Sequence, residues 1–303
     1  MKVLCTGAAG FVCSHVVDLL LKGGHEVLCI DDLSSGLRSN LPRKVNFVEI
    51  NVANWYDIVS EFVDFKPEVV IHMAAQPSIF ESFDNPIRDG YVNVMGTLNV
   101  IRAAQKIGAE RLVFSSTSAV YMELYSDLPT TEEWPCHPNT PYGISKLAAE
   151  SYVRLLMPEG GTVLRFGNVY GERQVPLGEN QVVPRMIRHF EKGDDFFIHG
   201  EGTQQRDLVY VGDVARAVVF AMTGPVGIYN IASGKAVSIN KLATMIEEIY
   251  QVPGYNWQYD DKIDPRVKAE LDIRKAIHDL NWHPGIDLQA GLCKTVEWWK
   301  AQK

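Results

Sequence analysis

Short apolar runs alternate with stretches of helical spacing through the first half of the chain. Residues 2–5, 26–30, 45–50 and 68–73 read as buried strands. A helix is predicted to start near Phe11 and another to cover 55–65. The long segment 84–107 opens on Asn85-Pro86, a helix-start signal, and sets Val94, Leu98 and Ile101 at helical spacing. Residues 111–115 then form a fifth strand and 142–156 a further helix. Strands that alternate with helices in this way predict an α/β protein with a doubly wound parallel sheet covered on both faces. Such sheets gather ligands at the carboxyl ends of their strands.

From about residue 165 the alternation loosens, and Gly- and Pro-containing loops at 171–180, 200–203 and 251–265 predict a second, smaller C-terminal lobe. Residues 213–222 keep a helical period and 227–232 read as a strand, so the chain is expected to cross back to the first lobe. The division this implies is 1–164 with 206–231 for the first domain and 165–205 with 232–303 for the second. Residues 288–299 close the chain as an amphipathic helix in which Trp298 and Trp299 serve packing.

Composition narrows the class. At 303 residues and 46% apolar content the chain is long enough for a full α/β core and a second lobe. No apolar run reaches the length of a membrane span, and a strand, not a charged segment before a secretory core, opens the sequence, so a cytoplasmic protein without a membrane partner is expected. A formal net charge of -8 supplies no basic face for nucleic acid. Five cysteines, at positions 5, 13, 29, 136 and 293, show no paired spacing and read as packed thiols, with no metal site.

Chemistry enters at the end of the first strand. Thr6-Gly7-Ala8-Ala9-Gly10-Phe11-Val12-Cys13 joins strand to helix with glycines that permit a tight turn and a close approach of the backbone to a pyrophosphate, which the helix amides would hold. Cys13 stands where a third glycine is usual, a small change that should shift the helix slightly. The second strand ends on Asp31-Asp32, about 20 residues further on, where an acid binds an adenosine ribose and repels a 2'-phosphate. That argues for a Rossmann-type sheet and for NAD, although Arg38 and Arg43 are near enough in sequence to leave NADP open. Asn51 and Val52, beyond the third strand, would lie by the adenine. Finally, Tyr142 and Lys146 are four apart on a predicted helix that follows the serine-rich strand end Ser115-Ser116-Thr117-Ser118. One helix face would carry both, with the ammonium drawing the phenol pKa toward neutrality.

Several motifs in one order carry a resemblance that covers nearly the whole chain. They are TGAAGFV from Thr6, the acid at Asp31, HMAAQ from His72, NVMGTLNV from Asn93, SSTSAVY from Ser115, PYGISK from Pro141, RFGNVYGERQ from Arg165 and RDLVYVGDVA from Arg206. The sequence resembles the extended short-chain dehydrogenase/reductases, specifically the nucleotide-sugar epimerases and dehydratases. The resemblance implies Thr117, Tyr142 and Lys146 as a catalytic trio, with Tyr142 the proton acceptor and donor. It implies that NAD is held by Gly7, Ala9, Gly10, Phe11, Val12, Asp31, Asp32, Asn51 and Val52, and by Met73, Ala74, Ala75, Asn93, Ser115, Tyr142 and Lys146. A sugar nucleotide, by this resemblance a UDP-hexose, would meet Thr117, Ser118, Tyr142, Asn168, Gln181, Val182 and Arg206. Lys262 and Arg266 compete for a further basic position, and the guanidinium fork favours Arg266. The second lobe then becomes the nucleotide-sugar-binding lobe, and a homodimer through the helices containing 93–104 and 145–156 is implied.

Dehydratases of this family place Asp-Glu after the threonine, whereas this chain has Ser118-Ala119, which can protonate no leaving hydroxyl. A C4 epimerase is therefore expected. The alternatives are a 4,6-dehydratase that recruits Glu123, a 4-keto-sugar reductase, and a non-catalytic sensor of NAD or sugar nucleotide. Met122, where glycine is common, would add bulk beside the sugar.

Overall fold

The computed structural model describes residues 1–121, 129–175, 181–262 and 268–302. The first half runs β1 (Lys2–Thr6), α1 (Phe11–Lys22), β2 (Glu26–Asp31), β3 (Asn46–Glu49), α2 (Trp55–Phe65) and β4 (Val69–His72). Next come α3 (Ile79–Asp84), α4 (Pro86–Gly90) and α5 (Gly96–Ile107), the last two joined by a π turn at Tyr91–Met95. Then follow β5 (Arg111–Thr117), α6 (Pro141–Leu156), β6 (Gly161–Phe166), β7 (Asn168–Tyr170), α7 (Val182–Lys192), β8 (Phe197–His199), β9 (Gln205–Tyr210) and α8 (Val211–Ala221). The chain ends through β10 (Ile228–Ile231), β11 (Ala236–Ser238), α9 (Ile239–Tyr250), β12 (Gln258–Asp260), β13 (Lys268–Ala269), α10 (Arg274–Leu280) and α11 (Leu288–Ala301).

Seven strands form the expected parallel sheet, in the order β10-β6-β5-β4-β1-β2-β3. Because both faces are covered, its strands read as continuous apolar runs: Val3, Leu4 and Cys5 are all fully buried. Val16, Val17 and Leu20 of α1 pack with Val214 and Val218 of α8 on one face. On the other, Ile58 and Phe62 of α2 meet Val100 and Ile101 of α5 and Val153 of α6. A strand order that runs outward in both directions from β1 and β4 leaves a crevice at their carboxyl ends, and every loop considered below opens there.

The smaller lobe has its own core, with Met186 and Ile187 of α7 against Leu242 and Ile246 of α9 and Trp299 of α11. Its main sheet has the order β11-β9-β13, with β7 also paired to β9. Two features differ from the sequence reading. Residues 206–210, expected in the first domain, belong to β9 and hydrogen-bond in this smaller sheet, while the following α8 and β10 return to the large one. Helices α7 and α9 stand where the sequence reading assigns no element, between glycine-bearing loops. No helix among the described residues is long and apolar enough to cross a membrane, and the five cysteines are free thiols.

Candidate active site

The turn after β1 is built by contact between backbones. Gly7 adopts φ +67, and a Cβ there would come within 2.6 Å of the Ala74 amide nitrogen, so only glycine lets this turn lie against the loop after β4. The Gly10 amide donates to the Gly7 carbonyl at 3.1 Å. Phe11 and Val12 then start α1, whose first turn carries no acid, so the N-terminal amides face the cleft as a site for anionic oxygens. Cys13 takes the third glycine position with its side chain in the core between α1 and the sheet.

At the next strand end Asp31 accepts hydrogen bonds from the amides of Ala9 at 2.9 Å and Leu33 at 2.8 Å. Burial pushes its carboxyl above the ordinary value against the pull of those amides. Asp32 accepts from Asn51 Nδ2 at 2.8 Å and from the Ser34 amide. Asn51 and Val52 line the cleft beside them. Arg38 turns away: its guanidinium donates to the carbonyls of Leu41 and Pro42 and lies 4.8 Å from the Phe47 ring centre. Neither Arg38 nor Arg43 lines the cleft, whereas both aspartates do. Carboxylates without a facing cation suit a free 2'-hydroxyl, each oxygen retaining lone pairs for further donors. With the Gly7 cradle, these residues fit NAD rather than NADP.

The reacting end lies at the mouth of β5. Thr140 caps α6 by accepting from the Gly143 amide at 3.0 Å, with Pro141 at the first helical position. Tyr142 and Lys146 follow on successive turns and both line the cleft with Ser115 and Met73. Lys146 Nζ sits 4.3 Å from the Phe114 ring centre, and one turn on Glu150 accepts from Arg165 Nη2 at 2.7 Å and Nε at 3.1 Å, and from Ser116. Burial lowers the Lys146 pKa to about 8 while the Glu150 and Asp89 carboxylates hold it up. His72 beneath it, between Thr6 Oγ1 at 2.7 Å and Thr97 Oγ1 at 2.9 Å, is driven down to about 3 by burial and by Lys146, so it stays neutral.

For Tyr142 the balance differs from the sequence expectation. Burial pushes the phenol up to about 12, the hydrogen bond with Thr117 lowers it, and Asp89 raises it further. The phenol is not brought toward neutrality here, because burial opposes its ionisation more strongly than the Thr117 hydrogen bond promotes it.

Two residues expected at the cofactor lie behind the cleft wall. Ala9 is fully buried, its amide spent on Asp31 and its carbonyl on the Leu37 amide and Asn40 Nδ2. Asn93, on the π turn, points into the protein: its Oδ1 accepts from the Gln76 amide at 2.8 Å, and its Nδ2 donates to Asp89 and to Ser145 Oγ, each at 3.0 Å. The other expected cofactor residues, including Ala74 and Ala75, line the cleft. Of the residues expected at the sugar nucleotide, Tyr142 and Gln181 line it and Thr117 bonds to Tyr142. Ser118 lies in a 3-10 turn, Val182 begins α7, and Asn168 and Arg206 sit on the paired strands β7 and β9; these four do not line the cleft. Arg266, Met122 and Glu123 lie outside the described residues.

Sequence reasoning missed Arg173 and Gln174, which line the cleft from the segment after β7. Arg173 holds φ +66 and donates to Asp18 of α1 at 2.6 Å. The motif RFGNVYGERQ contains both, but nothing local in it marks a left-handed arginine. Among the described residues lining the cleft the carboxylates are Asp31 and Asp32, both at the ribose end.

Residues 3–232 match the model of the NAD dependent epimerase/dehydratase family. The chain is 40% identical to a putative UDP-glucose 4-epimerase of Methanocaldococcus jannaschii, over 98% of each. Among solved structures it is similar to a UDP-glucose 4-epimerase of Thermotoga maritima determined with UDP-glucose, at 38% identity and a TM-score of 0.94 over 100% of this chain and 99% of that one. It is also similar to a Thermus thermophilus UDP-glucose 4-epimerase in complex with NAD, at 34% identity and a TM-score of 0.93 over the whole of both chains.

Proposed function

Because the chain belongs to the NAD-dependent epimerase/dehydratase family, we propose that it interconverts C4 epimers of a nucleotide-linked hexose, a UDP-sugar such as UDP-glucose and UDP-galactose or an N-acetyl or uronic relative. The observation that carries this reading is the charge of the reacting end: an acid–base pair, Tyr142 and Lys146, faces the cleft there, and the carboxylates that line it stand at the ribose end. Loss of water or carbon dioxide needs a further acid or base beside C5 and C6, and Ser118-Ala119 offers none. Oxidation and re-reduction at one carbon need only a proton carrier and an orienting group.

NAD is the cofactor, and when bound it accepts hydride from C4 and returns it. Gly7 and the start of α1 would hold its pyrophosphate and Asp31 its ribose. Tyr142 takes the proton of the C4 hydroxyl and gives it back, Thr117 orients that hydroxyl through its bond to the phenol, and Lys146 supplies fixed positive charge beside them. Burial holds the phenol's proton affinity high, and a bound oxidised nicotinamide would add a positive charge that favours the tyrosinate.

The second lobe, with β7, β9 and the core of α7, α9 and α11, is the nucleotide-sugar side in this reading, and Asn168 and Arg206 on its neighbouring strands are assigned to the diphosphate. A homodimer is proposed as well. Val100, Ile101, Ala103 and Ala104 of α5 are core, so the exposed apolar surface lies earlier, at Phe83, Ile87 and Tyr91, and continues on α6 at Ile144 and Leu155. Ile87 is 84% exposed.

The test is mass spectrometry with chromatographic separation of stereoisomers after incubating the pure protein with UDP-, dTDP- and GDP-hexoses. A new isomer of unchanged mass is expected from a UDP-hexose. A product lighter by water or carbon dioxide would overturn the epimerase reading.

A further inference from the structure

Behind the reacting end lies a buried acid with no part in the chemistry just described. Asp89 of α4 is 1% exposed, and its Oδ1 accepts from Asn93 Nδ2 at 3.0 Å and Gln76 Nε2 at 3.1 Å. Ser145 also hydrogen-bonds to it. Asn93 Nδ2 reaches Ser145 Oγ at 3.0 Å, and Ser145 Oγ donates to the carbonyl of Tyr142 itself at 3.0 Å. The cluster thus ties the loop after β4, the π turn and the first turn of α6 to one carboxylate. A carboxylate so deeply buried is costly to keep, and uncharged hydrogen-bonding groups could bridge the same elements more cheaply.

We propose that Asp89 is a positioning residue for the Tyr142–Lys146 pair, its carboxylate fixing the start of α6 through Gln76, Asn93 and Ser145 and supplying the fixed negative charge against which both groups titrate. This rests on the reading of Tyr142 and Lys146 as the acid–base pair. Among the described residues, Lys146 faces Asp89 from α4, Glu150 from its own helix, neutral His72 from β4 and the Phe114 ring from β5. Tyr142 faces Thr117 from β5 and Asp89 from α4. Asp89 itself faces Lys146 and the uncharged Ser145 and Gln76, burial being the chief influence on it.

The sign follows from charge. A negative group disfavours tyrosinate and favours ammonium, so it holds both proton affinities up. Asp89→Asn keeps the shape and removes the charge, and must lower both. The acid limb of the kcat profile, set by Tyr142, and the basic limb, set by Lys146, therefore move together to lower pH, by about one unit, the lower end of what one neighbouring charge does. A residue that only braced the fold would lower the profile without displacing it.

The experiment measures kcat against pH for the NAD-loaded protein, and in parallel follows Lys146 by NMR of 13C-lysine protein, assigned by its loss in Lys146→Arg. In D89N the Lys146 inflection and both limbs are expected about one unit lower, while Asp89→Glu, which restores the charge, keeps them in place. Ser145→Ala, which loses a hydrogen bond but no charge, lowers kcat with the limbs unmoved. Limbs and Lys146 inflection unmoved in D89N overturn the proposal. If D89N does not fold, the native protein decides: its Asp89 carboxyl resonance, assigned by its loss in D89E, must step at the pH where Lys146 loses its proton, and a flat trace there overturns the proposal. If no sugar nucleotide turns over, the epimerase reading falls while the lysine and carboxyl titrations still judge Asp89.

Discussion

The two ends of the cleft are made of different material. At the adenosine end, backbone does the work: a left-handed Gly7, the amides opening α1, and an aspartate whose hydrogen bonds reach residues two and twenty-two positions away. At the reacting end, buried side chains do it, and their charges come from α4, α6 and β6. A backbone site tolerates little change of shape and is nearly indifferent to pH. A site of desolvated charges is sensitive to every neighbour, because each proton affinity is a small difference between burial and pairing.

Substitutions should separate the ends, with the largest effect at the phenol. Tyr142→Phe is expected to lower kcat about 1,000-fold while leaving bound NAD, read from absorbance after denaturation, and the melting temperature as in the native protein. Gly7→Ala should do the converse. It forces a Cβ into the Ala74 backbone at a left-handed position, so NAD affinity measured by calorimetry should fall about 100-fold, with stability lower by about 2 kcal/mol. Asp31→Asn is milder: about tenfold weaker NAD and a smaller preference over NADP, since removing the carboxylate charge relieves repulsion of a 2'-phosphate. Smallest within the chain is Ile87→Asp with Leu155→Asp, which should change the unfolding free energy of the subunit by no more than about 0.5 kcal/mol. Sedimentation should nevertheless show this pair of changes converting a dimer to monomers.

The same contrast explains what could be read from sequence. The glycine turn, Asp31 and the Tyr142/Lys146 spacing are legible because each is a short contiguous signal whose geometry is local. The parallel sheet is legible because burial on both faces leaves uninterrupted apolar strands. The direction of Asn93 is not legible, since a motif position says nothing of direction and the π turn aims this amide inward. The Glu150–Arg165 pair and the Asp89 cluster are invisible in sequence because they join residues up to about 70 positions apart, and a buried acid looks in sequence like any solvated one. The tyrosine's high proton affinity is hidden for the same reason, as burial is its main cause.

The π turn at Tyr91–Met95 carries a further consequence. Such a turn is an α-helix with one residue too many, accommodated locally. Deleting a single residue between 91 and 95 would return this stretch to a regular turn and leave α4 and α5 in their present phase, because the bulge already absorbs the extra residue. What would be lost is the wide turn from which Asn93 reaches Gln76, Asp89 and Ser145, though no side chain outside it had been altered. Chain length in these five positions is thus itself a determinant of where the Asn93 amide is aimed, counted in whole residues.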